Sequence, residues 1–369
     1  MSGPVLGVLG GRLIGRRTGV GRYLTNLLRE WSAGHAPFGR VVVATPRPVE
    51  LPPGIENAVI PFHGPAGLWE HLSVPARLPP VDLLFCPSYI VPLGYQGRTA
   101  LTVHDAIQAA LPGEFPFWYR YRYGALYRWS ARRAGLILAD SHATAEDIVQ
   151  FYRVGRERIR VVPLGVDPVF RPVDPAPVLQ RLGLADRPYV LFVGKMTRRR
   201  NLPGLIEAFA DADDGTRTLV LAGDNSAGHD LTGIAHRLRL GDRFRHLAFP
   251  PDDDLVALYS GADLFVYPSL REGFGLPIVE AMACGAPVLT VDASAMREVA
   301  PPGTAFLAQG VKAYEIAGPL RVALENPAHR QEVAAAGQAW SARFRWSDTA
   351  RQTLDALADL VREGNPLGR

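Results

Sequence analysis

The stretch SLREGFGLPIVEAMACGAP, Ser269–Pro287, decides how the rest of the chain is read. It follows an apolar run at 264–267 that reads as a strand. It then opens a helix with Pro277 in the first turn and Gly285 just past the end, the favoured places for these residues at helix termini. Gly273 and Gly275 leave the backbone N–H groups of Phe274, Gly275 and Leu276 open to a ligand, and the helix adds the positive end of its dipole, so an anion belongs there. Glu272 enters the same loop and Glu280 lies one turn into the helix. Carboxylates beside an anion site suit sugar and ribose hydroxyls, which donate hydrogen bonds that an ionised acid accepts.

Outward from this stretch, short runs rich in Val, Leu and Ile alternate with amphipathic helical patterns, which predicts βαβ units and parallel sheets. Strands are expected at 5–9, 40–44, 83–86, 100–103, 136–139 and 160–162, with helices at 20–31, 119–133 and 143–152, the last capped by Ser141. After the Pro-rich stretch RPVDPAPVLQ, read as a linker that continues neither sheet nor helix, the pattern restarts. Strands then fall at 189–193, 218–222, 244–247, 264–267 and 288–291, with helices at 202–211, 231–240, 255–261 and 277–284. The fold class is α/β, two Rossmann-like parallel α/β/α domains at 1–172 and 173–345, followed by an amphipathic terminal helix within 346–369. A cleft between two such domains, beyond the carboxyl ends of the strands, is the default active site.

Composition sets the outer limits. With 369 residues, 47% hydrophobic and 21% charged, and a mean hydropathy of +0.03, the chain reads as a soluble globular protein of two domains. No apolar stretch approaches the roughly 20 residues of a membrane span, and MSGPVLGVLG has no basic n-region, so a cytoplasmic protein is expected. Cys86 and Cys284 exclude a disulfide scaffold and a cysteine-based metal site. Of 40 basic residues only Lys195 and Lys312 are lysines; the rest are fork-shaped, always-charged arginines. Residues 1–170 carry 18 basic and 12 acidic side chains, whereas residues 171–369 carry 22 and 24. Nothing here resembles a nucleic-acid-binding block.

The run EGFGLPIVEAMACGAPV is similar to the E-x7-E signature of the retaining glycosyltransferases of family 4, which have the GT-B fold. The resemblance implies that Glu272 contacts the donor sugar and Glu280 the nucleotide ribose. TGVGRYLTNLL, Thr18–Leu28, resembles the family's glycine loop, which would bring Gly19, Val20 and Gly21 to the donor. LTVHDAIQAALPGEFP, Leu101–Pro116, resembles the strand-end His-Asp of mannosyltransferase-like members, which sets His104 near the transferred sugar. In FVGKMTRRRNLPGLIEAF, Phe192–Phe209, the family's Arg and Lys around the diphosphate are exchanged, with Lys195 first and Arg200 second. Their neighbours Arg198 and Arg199 read as solvated. LAGDNS, with Gly223 and Asp224, resembles the loop beneath the nucleotide base, and FRWSDTARQTLDAL the helix that crosses back to the first domain. Over 46–80 the resemblance is weakest, where family members choose their acceptors.

The implied reaction is transfer of a hexose from a nucleoside-diphosphate sugar, GDP-mannose-like favoured and a UDP-sugar the alternative, to a glycan or lipid-linked acceptor. The family's favoured picture is front-face attack. No cofactor and no metal is expected, because Lys195 and Arg200 would neutralise the leaving group; DADD at 211–214 and DDD at 252–254 read as solvated helix-cap carboxylates. A nicotinamide oxidoreductase lacks its G-x-G-x-x-G, and a pyridoxal-phosphate phosphorylase lacks a lysine in context. An epimerase or hydrolase of the same fold, or a non-catalytic nucleotide-sugar-binding protein, are the rivals. FPFWYRYRYGALYRWSARR, Phe115–Arg133, reads either as a helix with an aromatic core face or as a peripheral contact with anionic membrane at the inner face.

Overall fold

The computed structural model describes residues 3–14, 19–248 and 250–363. They form two compact units, Met1–Gly165 with Arg345–Arg369, and Val166–Phe344. The divisions thus fall at Gly165/Val166 and Phe344/Arg345, where the sequence reading put 172/173 and 345/346.

The first unit holds a sheet of β1 (Val5–Leu9), β2 (Arg40–Thr45), β3 (Glu56–Val59), β4 (Leu83–Cys86), β5 (Thr99–Val103), β6 (Leu136–Ala139) and β7 (Ile159–Val161). Its order is β3-β2-β1-β4-β5-β6-β7, and every pair is parallel. The second unit holds β8 (Tyr189–Val193), β9 (Thr218–Ala222), β10 (Phe244–Leu247), β11 (Leu264–Tyr267), β12 (Val288–Val291) and β13 (Phe306–Ala308), ordered β10-β9-β8-β11-β12-β13 and again parallel. Parallel strands need helical crossovers on both faces, so central strands are apolar throughout: β4, β8, β11 and β12 are buried at every position. All strands expected from the sequence are present to within a residue; β3 and β13 were not expected.

Three expectations need correction. The stretch RPVDPAPVLQ does not stay out of regular structure: Ala176–Leu182 is a helix with a proline in its first turn, where no N–H is needed, and Gly183 ends it at φ 65°. The acidic runs are not uniformly solvated. Asp213 is fully buried and pairs with Arg243 at 2.7 Å, and Asp254 is buried and pairs with Arg181 at 2.5 Å. The aromatic segment divides between its two readings. Within the helix Phe117–Arg133, Tyr127 is buried and stacks on Tyr89 at 5.0 Å, whereas Phe117 and Tyr121 are 78% and 77% exposed and Trp118 stands out beside them.

Among the described residues no helix is long and apolar enough to cross a membrane. The helix Trp346–Arg362 belongs to the first unit although the whole second unit precedes it. Leu354, Leu357 and Leu360 are buried on its inner face, and Trp31 donates from Nε1 to the carbonyl of Ala350 at 3.1 Å. Leu357→Ala should therefore cost about 2–5 kcal/mol of stability in urea unfolding, while Asp355→Ala on the outer face should change it by less than about 0.5 kcal/mol.

Candidate active site

In the second unit the strand order reverses between β8 and β11, so the loops after these strands depart in opposite directions and leave a crevice at their carboxyl ends. Lys195, Arg199 and Arg200 come from the loop after β8, and Glu272, Phe274 and Gly275 from the loop after β11. Glu272 is buried, and its Oε1 accepts from Ser269 Oγ at 2.7 Å, Tyr267 OH at 3.2 Å and Arg199 Nη1 at 2.5 Å, with Arg200 Nε at 3.0 Å. The second oxygen, Oε2, has no such partner among the described residues. The guanidinium of Arg200 also lies 4.8 Å over the ring of Tyr267. Lys195 is exposed, 4.0 Å from Asp224. Lys195, Arg199 and Arg200 thus stand with Glu272 and Asp224 at the start of the helix, and Glu280 follows one turn into it.

Arg199 is not the solvated neighbour that the sequence suggested, for its side chain is only 18% exposed. Arg198–Arg200 form a single 3-10 turn, which fans successive side chains about 120° apart. Arg198 faces solvent, and the next two turn inward to Glu272. A run of three arginines carries no sign of this; the signal that was legible is the asparagine after it, since Asn201 takes the left-handed conformation (φ 54°) that stops the turn. Tyr267 and Ser269 were likewise missed as partners of Glu272, although Ser269 lies inside the quoted stretch.

The loop after β11 closes with Gly275 at φ 102°, and Leu276–Ala283 follows as a helix with Pro277 in its first turn. Phe274 is buried edge-on against Phe344 at 5.6 Å, which fixes the loop from below. Glu280 is buried and accepts from Tyr259 OH at 3.1 Å. The loop after β9 passes so close to that after β8 that a Cβ on Gly223, at φ 140°, would stand 2.2 Å from the carbonyl oxygen of Gly194. Asp224 is held there by accepting from Ser226 N and Oγ, both at 2.8 Å.

In the first unit, Gly19, Val20 and Gly21 are the opening residues of the helix Gly19–Ser32; Thr18 lies outside the described residues. His104 stands one residue past β5, between Pro87 past β4 and Asp140 past β6. Its Nδ1 is 2.8 Å from Asp140 Oδ2 and its Nε2 is 3.0 Å from the carbonyl of Pro87. The carbonyl of Pro87 can only accept, so Nε2 carries a proton, and the Asp140 carboxylate beside Nδ1 favours a second proton there. Burial, the largest single influence, pushes its pKa down, but the charge and hydrogen bond of Asp140, with Pro87 and Asp105, outweigh it and hold the pKa above the ordinary 6.5. Burial likewise raises the Asp140 carboxyl, opposed by His104. Tyr23 and Tyr89 meet the ring edge-on at 4.9 and 5.8 Å. His104 therefore spends both ring nitrogens within the protein. Among the described residues no three His, Cys, Asp or Glu side chains group as metal ligands would.

Residues 179–340 match the family described as glycosyl transferases group 1, and residues 17–170 match glycosyltransferase family 4. The O-antigen chain mannosyltransferase B of Escherichia coli is 33% identical over 279 residues, 73% of this chain and 72% of that protein. A D-inositol 3-phosphate glycosyltransferase of Xylanimonas cellulosilytica is 32% identical over 286 residues, covering 74% and 67%. Among solved structures, Anabaena Alr3699/HepE in complex with UDP and glucose superposes with a TM-score of 0.77 at 22% identity, over 96% of this chain and all of that one. Sucrose-phosphate synthase from Thermosynechococcus elongatus does so with 0.77 at 21% identity, over 98% and all of that chain.

The His104–Asp140 pair makes a test with a definite sign. By NMR the ring should titrate above 6.5, and Asp140→Asn should move the midpoint below 6.5, because burial then dominates. A folded pKa above the unfolded one adds stability that is whole below about pH 6.5 and is lost as pH rises through the folded value. The urea midpoint should fall across that window in the wild type and stay flatter in the variant.

Proposed function

The chain belongs to glycosyltransferase family 4, and from that premise we propose that it transfers a hexose from a nucleoside-diphosphate sugar to a glycan or lipid-linked acceptor with retention at the anomeric carbon. The observation that carries this reading is the carboxylate of Glu272, fixed through one oxygen among Arg199, Arg200, Tyr267 and Ser269. A buried acid held so firmly by its own protein, with Oε2 left over, suits a sugar hydroxyl better than it suits attack on carbon.

The difficult event is departure of the diphosphate, which takes the electron pair of the anomeric C–O bond. Lys195, Arg200 and the N–H groups at the start of Leu276–Ala283 would stabilise that charge electrostatically. The acceptor oxygen then bonds to the anomeric carbon on the face the phosphate leaves, and its proton passes to a departing phosphate oxygen. Glu272 orients the sugar, Glu280 the ribose, and Gly223 and Asp224 flank the base. His104, with both ring nitrogens committed within the protein, presents a ring edge rather than a ring-nitrogen hydrogen bond. With these cations in place the reaction is independent of metal. A GDP-mannose-like donor is favoured by the relationship to the E. coli mannosyltransferase, with a UDP-sugar as the alternative.

The exposed Phe117, Trp118 and Tyr121, with Arg120 among them, form a surface suited to anionic headgroups, with rings at the boundary and a guanidinium on phosphate. A cytoplasmic protein meeting the membrane in this way would reach a lipid-linked acceptor without a spanning helix.

Glu272→Gln and Arg200→Ala should each lower kcat by about 10²–10³-fold at a temperature where both variants are still folded, although the broken ion pair lowers the thermal midpoint, and EDTA should leave wild-type turnover unchanged. Wild-type rates in either folded variant would remove these residues from the reaction. Thermal-shift screening against GDP-, UDP-, ADP- and dTDP-sugars identifies the donor, since a bound ligand raises stability by mass action. The wild type should also sediment with anionic vesicles at low salt and release at high salt, and Trp118→Ser with Tyr121→Ser should not sediment.

A further inference from the structure

In the first unit the strand order reverses between β1 and β4, and a cavity of about 740 Å³ opens beyond the carboxyl ends of the strands. Arg12 follows β1, Arg47 follows β2, Trp69, Glu70 and His71 project from the helix Ala66–Arg77, and Arg122 comes from Phe117–Arg133. The three arginines are exposed and make no ion pair among the described residues. Other guanidiniums of the chain do close on carboxylates, among them Arg40 on Glu56, Arg243 on Asp213 and Arg330 on Asp263, all within 2.7 Å. Three unpaired forks converging on one concavity leave a local charge that an anionic ligand would answer, and the guanidinium fork matches phosphate oxygens.

The other side of the cavity has the opposite chemistry. No described residue donates a hydrogen bond to Glu70, and Arg12 supplies an opposing charge; burial raises its carboxyl above the ordinary range. His71 accepts from the backbone N–H of Leu93 at Nδ1 (3.1 Å), so its remaining proton is on Nε2; burial holds its pKa below the ordinary 6.5. Trp69 spends its Nε1–H on the carbonyl of Ile60 at 2.9 Å and offers the cavity only its ring. A lone carboxyl, a neutral donor and an aromatic wall are what a hydroxylated ring requires.

We propose that this cavity seats the acceptor through a phosphate group gripped by Arg12, Arg47 and Arg122, with Glu70 accepting a hydrogen bond from one of the acceptor's hydroxyls. The inference rests on the glycosyltransferase reading and specifies its acceptor as a phosphorylated sugar or polyol. The phosphate comes from a soluble sugar phosphate or from a lipid-linked one.

Calorimetric titration of the full chain with a hexose, its 1-phosphate, the octyl phosphodiester of the same sugar, and inorganic phosphate tests the inference. Both sugar phosphates should bind, and the free hexose at least about tenfold more weakly. The tighter of the two names the source. Arg12→Gln, Arg47→Gln and Arg122→Gln should each weaken sugar-phosphate binding about tenfold, and their exposed positions leave the core intact. Glu70→Gln should weaken the sugar phosphates while sparing inorganic phosphate. Equal affinity for the hexose and its phosphate, or arginine variants that bind as the wild type does, would overturn the site. Nucleotide-sugar consumption by the wild type is followed in parallel. Arginine-dependent binding without consumption would defeat the glycosyltransferase reading and leave the site standing, whereas consumption without such binding would defeat the site alone.

Discussion

Every strand in both sheets runs parallel, and the remaining features depend on that constraint. A parallel strand returns through a crossover on one face, so all the loops that follow strands gather at the same edge of the sheet. Where the order reverses, neighbouring loops leave over opposite faces and a crevice is unavoidable. Each unit has one reversal, β1/β4 and β8/β11, and each reversal collects the charged side chains: Arg12, Arg47 and Glu70 at the first, Lys195, Arg200 and Glu272 at the second. The same geometry explains Pro87, His104 and Asp140, which stand just beyond three adjacent strands and are therefore side by side.

The second reversal shows how a buried carboxylate is afforded. A buried polar group is costly unless neighbours satisfy it. At Glu272 a hydroxyl and a phenol from its own strand end, together with two guanidiniums from the facing loop, converge on one oxygen. The arrangement is mutual. Removing the acid would leave two cations facing each other in a partly dry site, and breaking such buried pairs typically costs about 3–5 kcal/mol. The contacts on Oε1 thus restrict where the rest of the carboxylate can lie.

Legibility in the sequence followed burial. Strands covered on both faces had to be apolar runs, so β1, β4, β8 and β11 announced themselves, and the glycines and proline of Ser269–Pro287 fixed the turn and the helix start. The edge strand β3, ENAV, is half exposed and has no such run, β13 is three residues long, and Pro75 obscures the helix Ala66–Arg77. Side-chain partnerships were harder for a different reason. Glu272 could be named from its motif, but which of three consecutive arginines reaches it depends on the winding of one 3-10 turn. Asp140 could not be tied to His104 without the register that sets Val103 beside Ala139. The buried Asp213 and Asp254 looked like surface acids because their arginines lie 30 and 73 residues away in the chain.

The shortage of lysine bears on the chemistry as well as on composition. Arg200 has Nε 3.0 Å from Glu272 and its guanidinium carbon 4.8 Å over the ring of Tyr267, so two contacts constrain it within the protein. An ammonium has no plane to stack and no separate edge to commit, and could not be fixed in both ways at once. Lys195 is the reverse case, exposed and weakly tied to Asp224. The two residue types thus differ in constraint, with the held cation beside Glu272 and the exposed one beside Asp224. In the first unit the arginines facing the cavity keep their charge at any pH at which the protein folds. A phosphate monoester, which gains its second charge near pH 6, would be held more firmly above that point than a phosphodiester, which has no second proton to lose.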